Sequence, residues 1–505
     1  MGAFPGFRAD RGGLSGLDVA RGPEGEAPVN VQLSTFLLYF VVVFAIGWYA
    51  LRATRSEADY WIAGGKLGWL VGGATMAATH TSAGTFVGTI GVMYVAGWSF
   101  GWLVLALPLA YWFMAAVLAP RFTRVKQLTL PAFIETRYYS KGVRALAAVI
   151  ILIATVVYVQ AQIVAGGLIA NIVFGVPVSW GMVGFTAILL AYTVIGGMIA
   201  VVYTDLLQLI IMVLGAICAV PLAIRQVGGV EPLFTYVEAV NPLTFSWEAM
   251  PALLLFTMGL SFLLGGVATP EKLIRLYAMR DMRTIRRGIL LTIIAVTTLN
   301  LLVFVLSLAA VVLFPNLPTG DLAMPMLATA VLPATLGAIL LAAITAAMMS
   351  TVDSLLLVAG SALSYDIYQG LFRPDAPPGR RLWVDRVGIL VVGTIPVVLL
   401  LSGVGEGELV QFIVLLFTAL MASSFFIPVV VGVYWRRATR EGAAAAMVGG
   451  VTTALAWEGW GPADAIDPVL PGFLVSAFLM VAVSLLTPPP PASATDPYMS
   501  PPKKP

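Results

Sequence analysis

From Val31 onward the chain passes through one apolar stretch of about 20 residues after another, separated by short polar connectors. A stretch of that length and composition is long enough to cross a bilayer as a helix, and only helices or closed barrels can span lipid. About thirteen such runs can be drawn, from Val31–Leu51 to Val469–Thr487, with the fifth and sixth separated only by Gly196-Gly197 and Asp205. The fold class is therefore all-α and polytopic. Hydrophobic residues make up 60% of the chain and charged residues 10%, against about 25% charged in soluble domains, so the apolar runs are not the cores of soluble domains.

The basic residues give an orientation. With the amino terminus outside, Lys and Arg fall in the inward-facing connectors or the carboxyl-terminal tail, apart from Arg8, Arg11, Arg21 and Arg225. Positive charge concentrated on one side marks the cytoplasmic face, which puts the carboxyl terminus inside and the protein in a plasma (inner) membrane. The run from Lys272 to Arg287 reads as a cytoplasmic connector rather than a nucleic-acid surface. Residues 1–30 and 488–505, rich in Pro and Gly with scattered charges, read as disordered tails around a transmembrane unit over 31–487. One cysteine, Cys218, excludes an internal disulfide.

Two spans carry chemistry. The second is interrupted by Thr79-His80-Thr81-Ser82-Ala83-Gly84-Thr85, which includes the only histidine of the chain. Hydroxyls and glycine let a helix break, and the carbonyls it frees are hard oxygen ligands suited to Na+. The ninth carries Ala347, Ser350, Thr351 and Ser354 on one helical face, with Asp353 at its margin. Small residues and neutral hydroxyls suit a weakly held monovalent cation. Packing between membrane helices also uses Ser, Thr and Gly, but it does not require an intramembrane acid. Of 25 Asp and Glu, only Asp205 and Asp353 fall within spans. Each costs about 2.5–3.5 kcal/mol at mid-membrane and calls for a partner or a cation.

These residues resemble the sodium:solute symporter family, most closely its sodium/pantothenate branch, over about 36–486. The motifs are Ile62-Ala-Gly-Gly-Lys-Leu-Gly, Thr81-Ser-Ala-Gly-Thr-Phe-Val-Gly, Gly196-Gly-Met-Ile-Ala-Val-Val-Tyr-Thr-Asp205 with Gln208, Ala346-Ala-Met-Met-Ser-Thr, and Tyr365-Asp-Ile-Tyr368. The resemblance implies a LeuT-type core of two inverted five-helix repeats, over about 67–224 and 250–435. An odd repeat length makes the halves run in opposite directions, and each half opens with an interrupted helix, the second expected at Met258-Gly259 and Gly265-Gly266. Carried over by position, the main sodium site consists of backbone oxygens of Ala78, Thr81 and Ala347 with the hydroxyls of Ser350 and Thr351. Asp205, Asp353 and Ser354 match a second cation site, although an aspartate at 353 departs from the usual hydroxyl or amide. His80, Ser82 and Thr85 correspond to residues that cradle a carboxylate, with Gln162 as a further wall.

The expected activity is sodium-coupled import of a small organic solute by alternating access, without enzymatic chemistry. The co-transported ion is Na+, the surroundings are lipid, and a monomer suffices. A carboxylate such as pantothenate or a monocarboxylate is favoured because the break contains no acid to meet an amine. Proton coupling through His80, Asp205 or Asp353, a proline-like or sugar substrate, and a membrane sensor are the other readings.

Overall fold

The computed structural model describes residues 29–53, 56–404 and 408–499. The expected amino-terminal tail lies almost wholly outside these residues. Among them, regular structure is helical apart from one bridge pairing Leu67 with Met279.

The helix α1 (Val29–Ala53) precedes a second span in two pieces, α2 (Trp69–His80) and α3 (Gly84–Ala96). Then come α4 (Trp98–Phe122) and α5 (Lys141–Phe174). The helix α6 (Val178–Val227) covers the expected fifth and sixth spans, bent at Gly197, whose φ of 64° puts it in the left-handed region. A Cβ there would also meet the Tyr60 ring at 2.6 Å, so glycine is required twice over. The second half holds α7 (Ala252–Ala268), α8 (Pro270–Ala278), α9 (Met282–Leu313), α10 (Ala334–Phe372), α11 (Pro378–Leu401) and α12 (Val410–Tyr434). The chain continues through α13 (Arg440–Trp460), α14 (Val469–Leu486) and α15 (Ala492–Met499). Nine helices among the described residues are long and apolar enough to cross a membrane. The remaining expected spans are helical as well, but broken or less apolar.

The packing has the exchange that inverted repeats require. The broken helix α2 lies on α9, the second helix of the other half, and α7 lies on α4, the second helix of its own opposite half. Likewise α5 packs on α12, and α10 packs on α6. The α2–α9 contact is backbone to backbone, since a Cβ on Gly73 would sit 2.5 Å from the Gly288 carbonyl. Small residues drive such crossings where lipid gives apolar side chains no reason to associate.

Two expectations are corrected. The second interruption is not at Met258-Gly259 or Gly265-Gly266, which are helical. It lies at Thr269, extended at φ −71° and ψ 129°, where Pro270 starts a new helix. The glycines serve close approach instead: a Cβ on Gly259 would overlap Trp102, and one on Gly265 would press on the Thr418 carbonyl. The tail expected to be disordered from 488 folds from Ala492 to Met499, with Tyr498 fully buried edge-on to Phe133 and Asp496 paired to Arg436 at 2.7 Å.

Candidate binding site

The site forms where α2 stops. Thr81 leaves the helix at φ −74°, ψ 106°, and the chain resumes in wide turns over Gly84–Thr89. The break exposes backbone groups that need partners. Ala83 N–H donates to Gln162 Oε1 at 2.9 Å, and Gly84 N–H donates to Ser82 Oγ at 3.0 Å. Gln162 is fully buried and absent from the cavity lining. Its carbonyl holds the break, and its Nε2 has no hydrogen-bond partner among the described residues.

Carbonyls released by the break face α10. Ser350 Oγ lies 3.0 Å from Ala78 O and 3.0 Å from Ala347 O. Thr351 Oγ1 lies 3.0 Å from Thr79 O, 3.2 Å from Ala347 O and 3.5 Å from Thr81 O. The five residues expected for the main sodium site thus come together, joined by Thr79, and all are buried. No carboxylate belongs to this cluster. Neutral hard oxygens are a donor type that suits Na+.

The residues expected for a second cation divide. Asp205 Oδ2 accepts from Thr75 Oγ1 at 2.5 Å and from Arg275 Nη2 at 3.1 Å, both side chains of the ion pair being fully buried. The same Nη2 donates to Ser354 Oγ at 2.6 Å, and Ser354 Oγ is 3.1 Å from Thr79 Oγ1. A guanidinium occupies the space between Asp205 and Ser354. Asp353 belongs elsewhere, with Thr193 Oγ1 donating to its Oδ1 at 2.6 Å. Asp205, Asp353 and Ser354 therefore do not converge on one ion. The physical reason is that Arg275 already supplies the positive charge.

Beside the break lies a cavity bounded by α2, α3, α4, α5, α7, α9 and α12. His80, Ser82 and Thr85 line it, together with Tyr158, Asn300 and Gln411. Tyr158 OH donates to Ser82 Oγ at 3.1 Å, and the His80 ring meets Tyr111 edge-on at 5.6 Å. Lys272 of α8 also lines this cavity. Glu271, Lys272 and Arg275 were expected in a cytoplasmic connector, yet all three are buried. Their signal in the sequence was available: Leu273, Ile274, Leu276, Tyr277 and Ala278 surround them too densely for a solvated loop.

A family model described as the sodium:solute symporter family matches residues 60–450. The osmoregulated proline transporter OpuE of Bacillus subtilis (strain 168) is 29% identical over 463 residues, which is 89% of this chain and 94% of that protein. The sodium/pantothenate symporter of Escherichia coli (strain K12) is also 29% identical, over 83% of this chain and 88% of that one. Equal identity to both leaves the pantothenate branch undistinguished from the proline transporters. Among solved structures, a Na+-coupled sialic acid symporter in a substrate-bound outward-open state aligns with TM-score 0.78, covering 91% of this chain and 98% of that chain at 19% identity. Mhp1, a nucleobase-cation-symport-1 family transporter in a closed conformation, aligns at TM-score 0.58 and 12% identity, covering 88% of this chain and 99% of that one.

Proposed function

The chain belongs to the sodium:solute symporter family, and from that premise we propose that it imports a small carboxylate with one Na+ per cycle by alternating access. It is a multi-pass membrane protein that moves a small molecule with Na+ as the co-transported ion. The observation that carries the finer reading is the neutral oxygen cluster of Ala78, Thr81, Ala347, Ser350 and Thr351, set behind the same broken segment whose His80, Ser82 and Thr85 line the cavity.

In this mechanism Na+ bridges the break and α10. It orders residues 81–85, and those residues form the solute's hydroxyl and imidazole contacts. Each ligand thereby tightens the other, as linkage requires. The amino terminus lies outside, the carboxyl terminus is cytoplasmic, and one copy embedded in a plasma (inner) membrane suffices.

A zwitterionic amino acid is the second reading. Glu271 is buried next to Lys272, and its Oε2 has no hydrogen-bond partner among the described residues. That supplies an acidic group near the cavity which the break itself lacks.

Reconstitution in liposomes tests both readings. Uptake of labelled pantothenate, pyruvate, acetate and proline is measured under a Na+ gradient, a pH gradient and an imposed potential. A monoanion moving with one Na+ is electroneutral and ignores the potential. A zwitterion moving with one Na+ carries charge and gains about 2.3 kcal/mol per 100 mV, about 40-fold in accumulation. Ser350→Ala with Thr351→Ala removes two contacts to the ion, each worth about 1.5–3 kcal/mol. The expected loss of Na+ affinity is on the order of 100-fold or more. Uptake driven as well by the pH gradient without Na+ would overturn the assigned cluster.

A further inference from the structure

We propose that Lys272 is the counter-charge for the solute's carboxylate, which makes α8 a second wall of the recognition site opposite the broken segment. This rests on the carboxylate reading above and adds to it the group that selects the charge.

Lys272 is 5% exposed, and the cavity of His80, Ser82, Thr85 and Tyr158 is the space it lines. None of the described residues forms a hydrogen bond or ion pair with its ammonium. Other buried cations among the described residues are matched. Arg275 has Asp205, Ser354 and the Glu271 carbonyl; Arg144 has Asp366 and Glu135; Arg137 has the carbonyls of Gly432, Trp435 and Ala438. The adjacent Glu271 acts on this ammonium electrostatically but forms no ion pair with it, so an anion entering the cavity that Lys272 lines meets a positive charge without a direct partner. The remaining lining supplies what a carboxylate needs beside a cation: hydroxyls of Ser82, Thr85 and Tyr158, and the amide of Asn300. A lysine, as a point charge with three donors, suits a small carboxylate whose orientation is set by those hydroxyls.

The placement on α8 also links the solute to the ion. The helix has nine residues, starts at Pro270 directly after the break at Thr269, and carries Lys272 one turn before Arg275. Arg275 in turn holds Thr75 and Ser354, the neighbours of the sodium cluster. A carboxylate drawn to Lys272 therefore pulls on the element that braces the cation cluster.

The test compares wild type, Lys272→Met and Lys272→Arg as full-length protein in liposomes, using whichever of pyruvate, acetate, pantothenate or proline the wild type takes up. Lys272→Met is expected to raise KM about 10- to 100-fold, the loss of one charged hydrogen bond, with a smaller change in kcat. Lys272→Arg is expected to stay within several-fold of wild type. Stabilisation of the purified protein by Na+ alone, read as a shift in melting temperature, is expected to persist in both variants. An unchanged KM in Lys272→Met overturns the assignment while leaving carboxylate transport standing. Equal loss in both variants together with loss of stabilisation by Na+ also overturns it, because Lys272 is then a structural residue. If the wild type takes up none of the four and instead moves a neutral solute, the carboxylate reading and this assignment fall together.

Discussion

Two cation-adapted clusters lie one helical turn apart on α10, and they solve the same electrostatic problem in opposite ways. Around Ser350 and Thr351 there are only neutral oxygens: carbonyls of Ala78, Thr79, Thr81 and Ala347 and two hydroxyls. Around Ser354 there is a full negative charge, Asp205, already matched by the full positive charge of Arg275. The first cluster attracts a cation without a fixed charge to trap it, and so suits an ion that must leave on every cycle. The second holds a cation that cannot leave. The pair is neutral as a whole, so it offers a further cation no unmatched negative charge.

The largest effect is expected from removing that arginine. Arg275→Met leaves Asp205 buried and unmatched, and breaking a buried pair costs about 3–5 kcal/mol. Thermal unfolding of the purified protein should register this as a clear drop in melting temperature. Asp205→Asn combined with Arg275→Met should recover most of it. If the double variant is as unstable as the single one, the pair is not a matched charge and the contrast between the clusters breaks.

Stoichiometry sharpens the contrast with a smaller signal. With one mobile cation the Na+ dependence of uptake should give a Hill coefficient of about 1 in wild type. A value near 2 would mean that a second ion binds despite Arg275.

The smallest effect concerns a buried carboxylate with no cation at all. Asp321, in the segment between α9 and α10, accepts from the Val410 N–H at 3.0 Å, and its Oδ1 has no partner among the described residues. Burial pushes its carboxyl up to about 7, only partly opposed by the Val410 N–H. The folded-state value lies above the ordinary one of about 3.9. Its contribution to stability is therefore complete below about pH 4 and is lost as pH rises through about 7. Asp321→Asn, which mimics the protonated acid, should melt above wild type at pH 8, with the gap narrowing toward pH 5. A gap independent of pH would show that Asp321 does not titrate as its burial requires.

Much of this was readable from the residues in order. The break, which falls at Thr81–Ala83 inside the expected Thr79–Thr85, was legible because hydroxyls and glycine inside an apolar run have few other uses. The neutral oxygen cluster was legible because Ala347, Ser350 and Thr351 share a helical face whatever they pack against. The bond from Ala83 N–H to Gln162 was not legible, because a lone glutamine in an apolar helix carries no mark of which backbone group it will meet. The second interruption was misplaced because glycines that permit close approach, as Gly259 does for Trp102, look in sequence like glycines that end a helix.

By itself the sequence determined the all-helical membrane architecture, the broken span and the shared helical face of Ala347, Ser350 and Thr351, since each depends on local composition and helical period. Only the tertiary structure decided which charges meet. Arg275 reaches Asp205 across 70 positions of chain, Ser350 reaches Ala78 across 272, and Lys272 enters the cavity because Pro270 restarts a helix inside the protein rather than beyond it. Partners so far apart in the chain are brought together by helix packing, and burial strengthens their pairing, because breaking a buried pair leaves a charge that the low-dielectric interior solvates poorly.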